Sequence, residues 1–149
     1  MKERKFLIPE FGPFAGMRVI GTGSLIAMPF AASMLAEFGA EVIQIERPGS
    51  GDHFRAFPPV RKNEHGTIGA TWVQDARNRL SMTLELNLND PDVKEIFLGL
   101  IRESDVYIEN MVWIDKLGIY DEELLRVNPR LVIVHVSGFG RKEFGGVPE

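Results

Sequence analysis

Residues Leu35 to Asp52 read LAEFGAEVIQIERPGSGD, and their order decides the fold. An amphipathic run closes on Gly39, a natural residue to follow a helix because glycine accepts the left-handed conformation needed there. AEVIQIE then reads as an apolar strand, with Val42, Ile43 and Ile45 β-branched as a buried parallel strand prefers. The strand opens into a charged, glycine-rich turn beginning at Glu46 and Arg47. A helix feeding such a strand is half of a parallel α/β unit. Open α/β sheets bind ligands at the carboxyl ends of their strands, which is where Glu46 and Arg47 stand.

The pattern extends in both directions. Met17 to Thr22, MRVIGT, reads as a first strand that ends in the Gly21-Thr22-Gly23 turn. Pro29 suits the first position of the following helix, where its missing N–H would have been unpaired anyway. Phe30, Met34, Leu35 and Phe38 recur at helical spacing, while Ala31, Ala32 and Ala36 keep the helix thin enough for close packing on a sheet. From Pro48 to Asn78 the pattern dissolves into Gly, Pro and charge, apart from a short helix expected over Ile68 to Ala76; so long an irregular stretch is more often functional than idle. LSMTLELN, from Leu80 to Asn87, alternates strictly and predicts a strand with one polar face.

Asn89-Asp90-Pro91 supplies a cap and a proline start, and Val93, Ile96, Phe97, Leu100 and Ile101 follow as the cleanest amphipathic helix of the chain. Asp105 to Glu109 is a strand, and Met111 to Leu117 a short helical turn closed by Gly118. Asp121 is expected to cap a helix ending at Asn128-Pro129, and Leu131 to Val136 is a last strand. Strands alternating with helices predict an α/β, Rossmann-like domain: a mainly parallel sheet flanked by helices. After Gly140 the chain reads RKEFGGVPE with no closing element, as in a truncated larger protein.

Composition excludes several functions. The chain has 149 residues, 44% of them hydrophobic, enough for one ordinary core. Its net charge of −4 argues against sequence-independent binding of nucleic acid, though not against a nucleotide-like cofactor, for which two or three local cations suffice. No cysteine means no disulfide, thiol nucleophile or thiolate metal site, and His53, His65 and His135 are too scattered to suggest a metal centre. The opening MKERKFLIPEFG is basic, but its apolar run stops at Pro9, short of a signal sequence, and no window reaches membrane-span length. The expectation is a soluble cytoplasmic protein.

Individual residues admit competing readings. Gly21-Thr22-Gly23, with Glu46 as a ribose ligand, invites a dinucleotide site, but Ile26 occupies the position of the third glycine, so a phosphate-free turn fits better. Arg47 and Arg55 can bind phosphate bidentately or stack on adenine, or be solvated loop charges; the strand-end position favours the first role for Arg47 more than for Arg55. Asn110 is either a cofactor-binding amide or a structural turn residue. His135 reads as a hydrogen-bonded core histidine, Trp72 and Trp113 as packing residues, and Ser137 has no histidine at motif spacing.

Three separated blocks resemble the class III (CaiB/BaiF-type) coenzyme A transferases. They are FGPFAGMRVI with MLAEFGAEVIQIERPGSGD, then NRLSMTLELN with DVYIEN, then VNPRLVIVHVSGFG, in order across most of Phe11 to Gly140. The chain is most similar to the branch acting on carnitine and crotonobetaine or on 2-hydroxy acids. The resemblance implies that residues 1–149 are an N-terminal, CoA-binding Rossmann-like domain. It also implies transfer of coenzyme A from an acyl-CoA to a free carboxylic acid, with no metal. In that family an aspartate attacks the thioester, the mixed anhydride becomes an aspartyl-CoA thioester, and the acceptor acid takes over. Two full-length subunits interlock as linked rings, so a homodimer, or a companion chain carrying the missing part, is the implied partner.

Residue by residue, Arg47 matches the arginine of the family's ERPG segment that lies against adenine. Leu84 to Asn87 match a segment usually written LDLK that borders the nucleotide. Asn110 matches the asparagine of ENFRPG, beside pantetheine and phosphates, and Lys116 falls near a basic position aimed at the phosphates. Leu25, Ile26 and Ala27 match the loop lining the site. Asn87 departs from the lysine of LDLK, and the loop after Asn110 is shorter, so phosphate contacts are expected from Arg55, Arg61 or Lys62. The catalytic aspartate is matched by none of Asp52, Asp75, Asp90, Asp92, Asp105, Asp115 or Asp121, and the chain alone is expected to be inactive. Two other readings stand beside this one: a non-catalytic binding or assembly subunit, and a nicotinamide-dependent reductase, which Ile26 disfavours.

Overall fold

In a strand, neighbouring residues point to opposite faces, so adjacent apolar residues such as Val19-Ile20 and Tyr107-Ile108 call for cover on both sides of a sheet. The computed structural model, which describes residues 5–64 and 66–140, provides that cover. His65 and the terminal RKEFGGVPE lie outside the described residues. In chain order the elements are β1 (Arg18–Thr22), α1 (Ala27–Glu37), β2 (Glu41–Glu46), β3 (Val60–Asn63) and β4 (Gly66–Gly69), then α2 (Ala70–Asp75), β5 (Leu80–Thr83), α3 (Pro91–Arg102), β6 (Val106–Glu109), α4 (Asp121–Val127) and β7 (Val132–His135). Short 3₁₀ turns cover His53–Ala56 and Ile114–Leu117.

The main sheet has the order β5-β2-β1-β6-β7, with every neighbouring pair parallel. One apolar cluster joins Val19, Val42 and Ile108 to Met28, Ala32 and Ala36 of α1. The other joins Ile20, Ile45 and Tyr107 to Phe97 and Ile101 of α3 and Leu124 of α4. Helices therefore flank both faces of a parallel sheet, and the Rossmann-like α/β expectation holds. The sheet grows one way from β1 to β2 and the other way from β1 to β6. The carboxyl ends of β1 and β6 thus border the crevice where the strand order reverses.

Several elements match the sequence reading closely. Asp90 accepts hydrogen bonds from the N–H groups of Asp92 (2.9 Å) and Val93 (3.4 Å), with Pro91 opening α3. Gly118 closes its 3₁₀ turn at φ 75°. Gly39 takes φ 102°, and a Cβ there would stand 1.7 Å from the Phe11 carbonyl oxygen, so that position requires glycine.

Other expectations need correction. α1 begins at Ala27 with Ile26 as its N-cap, so Pro29 is the third helical residue, not the first. The face it buries is Met28, Pro29, Ala32, Ser33 and Ala36, while Phe30, Met34 and Phe38 are 49%, 39% and 49% exposed. Small side chains let the helix axis approach the sheet, and the large ones are turned outward. The stretch from Pro48 to Asn78 is more ordered than its composition suggests: β3 and β4 form an antiparallel hairpin, and the helix is confined to Ala70–Asp75. VRKN and GTIG lack the apolar alternation that marks a strand, which hid the hairpin. β5 ends at Thr83, although its in–out alternation continues to Asn87. Asp121 is the first residue of α4, with Tyr120 in the cap position; the Asp121 Oδ2 lies 2.9 Å from His135 Nε2.

Buried and outward-facing aromatic residues differ in what they contribute to stability. Phe97 is fully buried and meets the Tyr107 ring edge-on at 5.7 Å between centroids. Phe97→Ala should destabilise the chain by about 3–5 kcal/mol. Phe30→Gln, on the outward face of α1, should change stability by less than about 0.5 kcal/mol. Urea melts of the two variants check the pair.

Candidate functional site

The turn after β2 begins with a carboxylate that the fold has taken out of water. Glu46 is 5% exposed, and its oxygens accept from Arg55 Nε (2.7 Å), Arg55 Nη2 (2.6 Å), Ser81 Oγ (2.7 Å) and the Asp52 N–H (2.8 Å). Burial by itself would raise its pKa. The hydrogen bonds from Arg55, Ser81 and the Asp52 backbone, with the Arg55 charge, outweigh that and hold it at about 2 instead of 4.5. The same carboxylate raises the pKa of Arg55, whose guanidinium also lies 4.2 Å from the centre of the Trp72 ring.

Asp52, 3% exposed, is the second withdrawn carboxylate. Its Oδ1 accepts from Ser24 Oγ (2.7 Å), the Leu25 N–H (3.1 Å) and the Phe54 N–H (2.9 Å), and its Oδ2 from Gln44 Nε2 (2.8 Å). It ties the loop after β1 to the turn after β2 and caps the 3₁₀ turn beginning at His53. Asn110, at the end of β6, grips the same loop. Its Oδ1 accepts from the Ser24 N–H (3.1 Å) and its Nδ2 donates to the Ser24 carbonyl (3.0 Å). Gly23 permits that approach, since a Cβ there would lie 1.9 Å from Asn110 Oδ1. Leu25 follows in the left-handed region at φ 69°, a conformation that costs a non-glycine residue ~1 kcal/mol.

These loops wall a cavity of about 410 Å³ at the carboxyl edge of the sheet. Thr22 to Leu25 come from the end of β1, Ile45 to Arg47 from β2, Gly51 to His53 from the turn, and Leu84 to Leu86 from beyond β5. Asn110, Met111 and Leu117 complete the wall. Among the described residues that line the cavity, Arg47 is the one permanently charged cation. Its side chain is 66% exposed and stands 3.8 Å from the equally exposed Glu85, a pairing too solvated to hold it.

The structure sorts the candidate residues. Leu25, Arg47, Leu84 and Asn110 line the cavity, with the Asn110 amide already engaged by Ser24. Ile26 and Ala27 adjoin it at the start of α1 without lining it, both exposed. Asn87 is exposed and accepts from the Asn89 N–H and Nδ2, and Lys116 lies with its ammonium 4.9 Å from the Trp113 ring. Arg55 is committed to Glu46, and Arg61 and Lys62 are exposed on β3, outside the cavity lining. Glu46, weighed as a ribose ligand, spends both oxygens on protein donors. The tryptophans are cation platforms more than packing residues, Trp113 being 64% exposed. His135 is a hydrogen-bonded histidine as expected, with Nδ1 2.5 Å from Glu109 and Nε2 2.9 Å from Asp121. Sequence reasoning misses Ser24, Asp52 and His53 as cavity residues. The Gly-Ser-Gly-Asp order before His53 is the available signal, because an aspartate closing a glycine turn commonly caps the next helical turn.

A pocket at the switch point of a parallel sheet, with apolar and polar walls and Arg47 and Glu85 at its mouth, defines a Rossmann-like α/β domain. The profile of CoA-transferase family III matches residues 14–147, and the chain belongs to that family. It is 41% identical over 143 residues to the bile acid CoA-transferase BaiK of Clostridium scindens, covering 95% of this chain and 29% of that protein. It is 40% identical over 132 residues to the succinyl-CoA--L-malate CoA-transferase beta subunit of Chloroflexus aurantiacus, covering 87% of this chain and 31% of that one. A CAIB/BAIF family protein from Brucella suis superposes with a TM-score of 0.77 at 31% identity, over 87% of this chain and 34% of that structure. The chain thus spans about a third of the length of these relatives. Among the described residues no helix is long and apolar enough to cross a membrane.

The withdrawn Glu46 makes stability depend on acid. Its lowered pKa contributes about 3 kcal/mol that is fully present above pH 4.5 and is lost as pH falls towards 2. Glu46→Gln should remove that contribution at pH 7 and flatten the decline in stability between pH 4.5 and 2, as read from urea midpoints across that range.

Proposed function

We propose that this chain is the N-terminal CoA-binding domain of an enzyme that moves coenzyme A from an acyl-CoA to a small carboxylic acid. The observation that carries the reading is the cavity's charge arrangement. Glu46 and Asp52 are internally satisfied, so the exposed charges of the wall reduce to Arg47 and Glu85, whose solvated pairing at 3.8 Å leaves the guanidinium able to turn to an anionic ligand. Leu25, Ile45, Leu84, Leu86 and Met111 give apolar surface for an adenine ring or a pantetheine arm, and Arg47 can stack on adenine or pair with phosphate. When bound, coenzyme A supplies the thiol that carries the acyl group. This chain's residues bind and orient it. Ile26, Ala27, Asn87 and Lys116, next to the cavity rather than in its wall, fit contacts made by the parts of so long a ligand that project beyond 410 Å³.

The covalent step belongs to an aspartate outside this chain, through an aspartyl-CoA intermediate. Asp52, the aspartate among the cavity-lining residues, has its carboxylate filled by four donors and is no free nucleophile. The acceptor is a carnitine/crotonobetaine-type or 2-hydroxy acid; a relative named for L-malate, itself a 2-hydroxy acid, supports the second arm. The enzyme works in the cytoplasm, and its chains pair as a homodimer. A second reading gives this chain a non-catalytic CoA-holding or assembly role beside a companion chain. Relatives named as alpha and beta subunits of one transferase favour it.

Calorimetric titration with free coenzyme A tests the proposal. Saturable binding should weaken about tenfold in Arg47→Ala, equivalent to ~1.4 kcal/mol. The chain alone should show no acyl-CoA turnover until a polypeptide carrying the aspartate is added. A folded chain that does not bind coenzyme A would refute the proposed CoA-binding role.

A further inference from the structure

Among the described residues that line the cavity, Leu25 is the one other than glycine that adopts positive φ, and it is 41% exposed in the cavity wall. A γ-branched side chain gains nothing from that conformation, so something else must hold it. The backbone leading into it is gripped. Asn110 takes both the N–H and the carbonyl of Ser24, and Asp52 Oδ1 takes the Leu25 N–H at 3.1 Å together with the Ser24 hydroxyl at 2.7 Å. Directly afterwards Ile26 turns helical, at φ −110° and ψ −61°, and α1 starts without a side-chain cap. If Leu25 returned to negative φ, its side chain would leave the wall and the entry to α1 would be redirected.

We propose that Asp52 is a positioning residue whose buried carboxylate holds Leu25 in the left-handed conformation and so fixes the wall against which the ligand lies. The inference rests on the coenzyme A reading for its ligand, and on the loop geometry for its cause. It assigns Asp52 a role in affinity beyond capping the His53–Ala56 turn. The cap requires only the bond to the Phe54 N–H, whereas the bonds to Ser24 and Leu25 cross from the β2 turn to the β1 loop.

The test is a double-mutant cycle read by coenzyme A titration, with the φ of Leu25 measured by amide–Hα coupling and Cα shift. Asp52→Ala should weaken binding at least tenfold and return Leu25 to negative φ. In a Leu25→Gly background, where positive φ carries no penalty, the same substitution should weaken binding less than threefold. An equal penalty in both backgrounds would overturn the proposal. Should Asp52→Ala fail to fold, Asp52→Asn serves. Its Oδ1 can still accept from Leu25, and Gln44, whose buried Oε1 lacks a hydrogen-bond partner, can turn its amide to accept from the new NH₂. That variant should keep positive φ at Leu25 and bind within threefold of the parent. A folded Asp52→Asn chain that loses either property would count against the proposal. If the parent does not bind coenzyme A, the ligand reading fails, and the φ measurement alone decides the positioning role. Positive φ in both parent and Asp52→Ala would overturn it.

Discussion

Taking a carboxylate out of water costs several kcal/mol unless donors replace the lost solvent, and a parallel sheet presents its ligand edge where such donors must be assembled from separate loops. The Glu46 carboxylate meets that constraint with the Arg55 fork, the Ser81 hydroxyl and the Asp52 N–H, while its backbone carbonyl accepts from the Leu84 N–H at 3.0 Å. The bond to Asp52 positions a second buried carboxylate, which in turn gathers Gln44, Ser24, Leu25 and Phe54. The loop after β1, the turn after β2 and the start of β5 are thereby locked to one another. The cavity between them is a product of that locking.

The arrangement also keeps two buried carboxylates from facing the pocket. Two buried negative charges beside a pocket would repel an anionic ligand if they faced it. Here Glu46 is neutralised by Arg55, and Asp52 is turned towards amide and hydroxyl donors, leaving Arg47 and the weakly paired Glu85 at the mouth. In sequence Arg55 reads as a second phosphate ligand, yet in the fold it serves to make Arg47 effective. On the far side of β6, His135 spans Glu109 and Asp121, and the Glu109 carboxylate also accepts from the Met111 N–H, so the cavity's opposite rim is held by a similar inward-turned acid.

The fold was legible because burial writes periodicity into sequence. AEVIQIE, LSMTLELN and the α3 stripe each carry one clear pattern, Asp90 marks a helix start, and Gly39 and Gly118 mark the stops. Legibility failed where packing depended on size instead of polarity. The alanine face of α1 lies inward while Phe30, Met34 and Phe38 lie outward, since close approach to the sheet outweighs apolar area there. The β3–β4 hairpin is hidden because VRKN and GTIG lack the apolar alternation that would announce it. Of the cavity-lining residues, Arg47 is visible from its strand-end position and Leu84 only through the family resemblance. Asp52 and Ser24 were not, because their importance lies in contacts between segments 28 residues apart that no local pattern encodes.

The central claim is that this pre-locked edge is the coenzyme A site. The most direct measurement is the map of backbone amide shifts on adding coenzyme A to the isotope-labelled chain. The account predicts changes concentrated at Gly23 to Leu25, Arg47, Leu84 to Leu86 and Met111. The amides of Glu46 and Asp52 should keep their slow hydrogen exchange, because the network beneath the cavity stays intact. Changes centred on the hairpin, the outward face of α1 or the β7 edge, or loss of protection at Glu46 and Asp52 on binding, would contradict it.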